Sequence, residues 1–416
     1  MIGKEFDIET YLRNIIFKKD DSLFEEGTQT LVENVEINGN NVNKFTNEFW
    51  TAKQRQASPI HEVSYRACFK PQLPRFFIEV LTLKNDIVYD PFSGRGTTVI
   101  EAGLLGRNII ANDINPLSCI LSKPRFFIPS ESEIVDRLES IKFYENLKSD
   151  IDLSMFYHEK TLSEILSLRN YLIERQLYGN EDHVDSWIRM IATNRLTGHS
   201  SGYFSVYTLP PNQAVSSESQ IKINQKRDQI PDYRDVKKMI LKKSDALIKN
   251  LDIEYKSELR RVGENAVFLN SDAGETKQIE SDSVKLVVTS PPFLDVVKYS
   301  NDNWLRCWFN NIDAETVAKK ITMSKTIEEW TAVMSPVFAE LYRILQKDGH
   351  VAFEVGEVKN SSLRLDEYVV EIGIKAGFKC IGIMINKQEF TKTANIWGVS
   401  NNGKGTNTNR IVIFRK

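Results

Sequence analysis

Apolar residues in this chain follow two rhythms. Short runs rich in Val, Ile and Phe, bounded by Gly, Pro, Asn or Asp, predict strands at 87–89, 107–115, 265–271, 284–290, 350–355, 378–385 and 410–414. Apolar positions three and four apart predict helices over 61–82, from 97 to 105 with Gly106 as the C-terminal stop, and near 131–148, 159–178, 183–195 and 233–261. Pro71 and Pro74 suit the entrance of the first helix, whose Phe76, Phe77, Val80 and Leu81 make an amphipathic face. Strands alternating with helices predict a doubly wound, mostly parallel α/β sheet. The run of helices from 126 to 261 is too long for a βαβ connection and reads as a largely helical insertion. The core is then 61–125 together with 262–416, preceded by an N-terminal extension over 1–60. In that extension 11–17 fits a short helix or strand and 36–44 is turn-rich. Residues 388–409, rich in Asn, Gly and Thr, read as a loop able to fold against a ligand.

Composition narrows the function classes. Hydrophobic content of 41% and charged content of 26% are those of a soluble globular protein of 416 residues. No apolar run reaches the length of a membrane span, and the N-terminus is polar, so the expected location is the cytoplasm. Four single cysteines and five dispersed histidines have no metal-ligand or disulfide spacing, and no metal is expected. With a net charge of −2, a nucleic-acid partner needs a local basic face. Residues 222–261 hold 12 Lys/Arg against 7 Asp/Glu and follow a stretch, 197–230, of Ser, Gln and Asn interleaved with Tyr203, Phe204 and Tyr207. That fits phosphate contacts from lysines with base-edge contacts from amides, and equally a solvated helix face.

The strand at 87–89 ends in Asp90 and a glycine turn, Gly94 and Gly96, that opens a helix near Thr97. Such a turn serves a nucleotide-like ligand beyond the carboxyl ends of parallel strands. A dinucleotide fingerprint needs glycine where Val99 stands, and a P-loop needs lysine where Thr97 stands, so both are disfavoured. Asp113, 17 positions after Gly96, sits where a carboxylate meets ribose hydroxyls, although it also fits a helix cap. Asp90 can balance an ammonium, and loop amides with Thr97 can hold a carboxylate. S-adenosyl-L-methionine fits that description.

The strand at 284–290 delivers Thr289-Ser290-Pro291-Pro292-Phe293. Consecutive prolines fix the backbone and remove two donors, leaving carbonyls as acceptors for an exocyclic amine, and Phe293 offers a stacking face. An ordinary proline turn is the alternative.

Asp90-Pro91-Phe92-Ser93-Gly94-Arg95-Gly96-Thr97-Thr98 and Ser290-Pro291-Pro292-Phe293 together resemble the amino-methyltransferase family of DNA enzymes, those that make N4-methylcytosine or N6-methyladenine. The resemblance implies a Rossmann-like fold that uses S-adenosyl-L-methionine and acts on double-stranded DNA. It implies cofactor contacts through Asp90, Pro91, Phe92, Gly94, Gly96, Thr97, Thr98 and Asp113. Phe69-Lys70-Pro71 looks like the family's additional cofactor segment, hence Lys70, and Asn270-Ser271-Asp272 like its adenine-contacting strand end, hence Asp272. Catalysis would fall to Ser290, Pro291, Pro292 and Phe293, with recognition in the insertion. Serine at the first catalytic position is the form typical of cytosine-N4 enzymes, which implies host protection in a prokaryotic restriction–modification pair, beside an endonuclease encoded nearby. Adenine-N6 methylation, RNA methylation and a non-catalytic DNA-binding role are the rival readings. Cytosine carbon-5 chemistry is excluded, because no cysteine follows a proline.

Overall fold

A computed structural model describes residues 6–17, 27–50, 57–65, 68–209, 214–292, 299–321, 324, 326–355, 364–387 and 408–416. Eleven strands form among them: β1 Ile16–Phe17, β2 Thr28–Gln29, β3 Leu31–Ile37, β4 Asn40–Asn47, β5 Ile87–Asp90, β6 Asn108–Asn112, β7 Val267–Leu269, β8 Val284–Thr289, β9 Leu345–Val355, β10 Lys379–Lys387 and β11 Thr408–Arg415. The first two make a small ribbon, and the others one sheet in the order β3-β4-β10-β11-β9-β8-β5-β6-β7. The five strands from β9 to β7 are all parallel. On the other side of β9, β11 is antiparallel to both β9 and β10, and the β3–β4 hairpin extends the edge by pairing β4 parallel to β10. This is the expected doubly wound, mostly parallel arrangement, with an antiparallel insert and an added hairpin.

Alternation along the strands builds two apolar layers. Val88, Ile109, Leu286, Val288, Ala352, Ile411 and Ile413 face one, with the helices Gln72–Leu81 and Thr97–Leu104. Tyr89, Ile110, Val287, Val351, Phe353, Val412 and Phe414 face the other, with Ile327–Ile344 and Leu365–Lys375. Burying one such side chain fully is worth about 1.5–3 kcal/mol, so a one-residue slip of any central strand would exchange both layers.

The region after β6 is helical, largely as its periodicity predicts: Glu131–Ser140, Glu159–Leu177, His183–Arg195, Ser217–Arg227, Val236–Ile248 and Ile253–Glu264. The expected helix at 131–148 stops at Ser140, and the one at 233–261 breaks at 249–252. Ser217–Arg227 escaped the periodic reading because it buries only Gln220, and its start rests on Ser216 accepting from the Ser219 amide. Trp187, Ile188, Ile240 and Leu259 join the same apolar layer as β5, so this region is welded to the sheet. Bonds to the helix Tyr299–Phe309, which follows the proline motif, fix it further. Ala214 N donates to Asp302 O at 3.0 Å, Trp304 Nε1 to Val215 O at 3.1 Å and Asn310 Nδ2 to Thr193 Oγ1 at 2.9 Å. Among the described residues no helix is long and apolar enough to cross a membrane.

Candidate active site

β5 pairs with β6 on one side and β8 on the other, which is where chain order reverses and where open α/β sheets bind ligands. The carboxyl ends of four parallel strands border a cleft of about 1190 Å³, open mouth included. β5 contributes Asp90, Pro91, Phe92, Gly94 and Thr97; β6 contributes Asp113 and Asn115; β7 contributes Ser271 and Asp272; β8 contributes Ser290 and Pro292. Trp330, Val333, Met334 and Val337, on one face of the helix Ile327–Ile344, make an apolar wall.

The glycine loop is held from within. Asp113 accepts from Gly94 N at 2.8 Å through Oδ2 and from Asn115 N at 2.9 Å through Oδ1. Ser93 N donates to Asn112 O at 2.9 Å, Gly96 N to Ser93 O at 2.6 Å and Phe92 N to Asp90 Oδ1 at 3.2 Å. The amides of residues 92, 93, 94 and 96 are therefore engaged inside the loop, so these four of the loop amides expected to hold a ligand carboxylate already have acceptors. Thr97 Oγ1 accepts from Arg95 Nε at 3.1 Å, which leaves its own O–H to donate. Gly94 has φ +51° and lies against the Tyr65 ring, while Gly96 has φ +80° and opens the helix Thr97–Leu104.

Burial raises both acids, Asp90 to about 7 and Asp113 to about 6. For Asp90, the Thr289 hydroxyl opposes the rise by donating to its carboxylate at 2.6 Å. That bond ties the glycine loop to the strand carrying the proline motif, and Thr98 Oγ1, donating to Val288 O at 3.1 Å, adds a second tie. At the next position along, Ser290 hydrogen-bonds Glu354 of β9, which also accepts from Asn409 Nδ2 at 3.2 Å. Glu354 is buried, and desolvation raises its carboxyl against those two bonds.

Of the sequence-named residues, Asp90, Pro91, Phe92, Gly94, Thr97, Asp113, Asp272, Ser290 and Pro292 line the one cleft. Gly96, Thr98 and Pro291 are buried behind the lining, Lys70 is exposed beside its neighbour Phe69, which does line it, and Phe293 lies outside the described residues. The loop expected at 388–409 is also outside them as far as residue 407. Sequence reasoning missed Glu354, although a lone acid in the apolar run HVAFEV was a visible signal. It also missed Tyr65 and Trp330, single aromatics with no motif around them.

The amides expected to read bases are partly consumed. Gln220 and Gln229 each donate to Tyr207 O, at 3.0 and 2.9 Å, and to Asn224 Oδ1, at 2.8 Å, while Asn224 Nδ2 donates to Met155 O at 2.8 Å. Some of the basic excess is likewise paired internally, as in Lys243–Glu62 and Lys249–Asp245.

Residues 9–123 match the family model N6_N4_Mtase, described as DNA methylase. The type II methyltransferase M.MjaII of Methanocaldococcus jannaschii is 30% identical over 105 residues, 24% of this chain and 20% of that protein. M.MvaI, a type II methyltransferase of Kocuria varians, is 30% identical over 128 residues, 30% of this chain and 25% of that protein. A tRNA (guanine(10)-N2)-dimethyltransferase of Methanocaldococcus jannaschii is 36% identical over 63 residues, 15% of this chain and 18% of that protein. The chain thus spans about a fifth to a quarter of the length of these curated relatives. The family match begins at residue 9, so it takes in the β3–β4 hairpin that the sequence reading left in the N-terminal extension. Over the segment that carries the glycine loop, the chain is similar to the N6/N4 DNA methylases.

Proposed function

We propose that this chain transfers a methyl group from S-adenosyl-L-methionine to the exocyclic N4 amine of a cytosine flipped out of duplex DNA, as the protecting half of a restriction–modification pair. The observation that carries this reading is that Ser290 and Pro292 share one cleft with the glycine loop, the two halves joined by the Thr289–Asp90 bond. The cleft suits the cofactor. Among the described residues no cation pairs with Asp90, which can take the ammonium, while the Thr97 hydroxyl can take the carboxylate. Each Asp113 oxygen accepts one amide and has a lone pair left for ribose, and Asp272 with the wall of Phe92, Val333 and Val337 suits adenine. The bound cofactor supplies an electrophilic methyl group on sulfonium.

The chain's own residues then orient the amine. With its proton directed to Glu354, the Ser290 oxygen turns lone pairs toward the amine hydrogens, and the Pro291 carbonyl accepts the second. Those bonds keep the nitrogen lone pair out of the ring, and Phe293 stacks on the extruded base, whose flipping costs a few kcal/mol. Positioning carries the rate, with no strong base needed before attack. Glu354→Gln is expected to lower kcat about tenfold or more while leaving cofactor Kd within about twofold. Unchanged single-turnover rates would remove Glu354 from the site.

A serine in first position follows the cytosine-N4 form of the motif, with adenine N6 the nearest alternative. A second reading, an exocyclic amine in RNA, is favoured by the likeness to the tRNA dimethyltransferase. Labelled S-adenosyl-L-methionine offered with duplex DNA and transfer RNA together separates them. Label in DNA supports the first reading, and label confined to RNA overturns it.

A further inference from the structure

The proline turn is anchored by a residue that no motif marks. Pro291 and Pro292 have no N–H, so neither can donate to the sheet, and the bonds that tie β8 at Val288, Thr289 and Ser290 to its neighbours lie before them. One residue further, Trp330 Nε1 donates to Pro292 O at 3.2 Å from 38 residues downstream. Trp330 is 2% exposed and stands in the first turn of the helix Ile327–Ile344, whose start is fixed by a capping box between Thr326 and Glu329. Its ring continues the apolar wall of Val333, Met334 and Val337. A single side chain therefore touches the wall of the cofactor cleft and the carbonyl of the turn. A buried indole N–H must keep an acceptor, which makes this contact directional and not merely a packing contact.

We propose that Trp330 is a positioning residue: its N–H sets the proline turn in register with the cofactor wall, so that the acceptors for the target amine are in place before the base arrives. This rests on the reading of residues 290–292 as the amine-binding turn. A displacement of about 1 Å at such a turn is worth about a hundredfold in rate.

The test replaces Trp330 with benzothienylalanine, which keeps the ring's shape and puts sulfur where the N–H stood, with Trp330→Phe as a second variant. Single-turnover methylation of duplex DNA, cofactor Kd by calorimetry and thermal midpoint are measured on the full chain. The expected result for the isostere is a 10- to 100-fold lower rate, with cofactor Kd within about twofold and an unchanged midpoint. A rate within twofold of the unsubstituted chain overturns the proposal, as does a Kd loss equal to the rate loss, which would make Trp330 part of the cofactor wall alone. If the unsubstituted chain methylates no nucleic acid, the reading of the turn fails first and takes this proposal with it.

Discussion

Asp90→Asn is expected to weaken cofactor binding about 100-fold and to remove the part of its pH dependence that reaches up to 7. A charge-assisted bond to the ammonium is worth about 1.5–3 kcal/mol, and each 1.4 kcal/mol is a factor of ten in Kd. Asn keeps an oxygen for the Thr289 hydroxyl and the Phe92 amide, so the loop should survive while the charge is lost. The sign of the pH effect follows from the raised pKa. Burial holds the free protein's Asp90 protonated below about 7, and a cationic group beside it favours the carboxylate, so binding releases a proton. Cofactor affinity should therefore rise with pH, by up to about tenfold per unit, and level off above 7. The stability of the free protein runs the other way. An acid whose folded pKa lies above its ordinary value of 3.8 loses stabilisation as pH climbs from about 4 to about 7. Calorimetric titrations between pH 5.5 and 8.5 check both statements, and equal slopes for the two proteins would refute the role of Asp90.

Gly96→Ala should destabilise the fold by about 2–5 kcal/mol, the sum of left-handed backbone strain and overpacking. Gly96 has φ +80°, and a Cβ there would stand 2.6 Å from Ser122 Cβ and 3.3 Å from Arg125 Nη2. Neither neighbour can yield. Ser122 donates to Ser118 O at 2.7 Å inside a buried helix, and Arg125, fully buried, spends its guanidinium on the Leu121, Ile60 and Arg95 carbonyls. Urea titration should show a lower midpoint with an unchanged slope. Gly94→Ala meets only ordinary contact with Tyr65, at 3.5 Å, and should cost about the backbone strain alone, 1–2 kcal/mol. Equal losses at the two positions would mean that the close approach to Ser122 is not what selects glycine at 96.

The glycine-loop half of the cleft was legible in sequence because strand, acid, glycine turn and second acid are local and their order is fixed by chain direction. The β3–β4 hairpin was not. Its residues alternate weakly, with Ile37 and Val42 buried among exposed Asn and Glu, because it lies at the sheet edge and one face meets solvent. Ser217–Arg227 was hidden for a similar reason, a helix held by its cap and by amide bonds instead of an apolar stripe. Glu354 and Trp330 act through contacts 64 and 38 residues away in sequence, from Ser290 and Pro292, and no spacing rule spans such distances. Thr98 and Gly96 belong to the motif but are explained by packing. Thr98 braces β8, and Gly96 makes room for Ser122.

The most direct test of methyl transfer to a cytosine amine is mass analysis of nucleosides. Duplex DNA incubated with the purified chain and deuterated-methyl S-adenosyl-L-methionine would be digested and its modified bases identified. The expected product is N4-methylcytosine carrying three deuterium atoms, lost in Ser290→Ala. Label found only on adenine or only on cytosine carbon 5 would contradict the account.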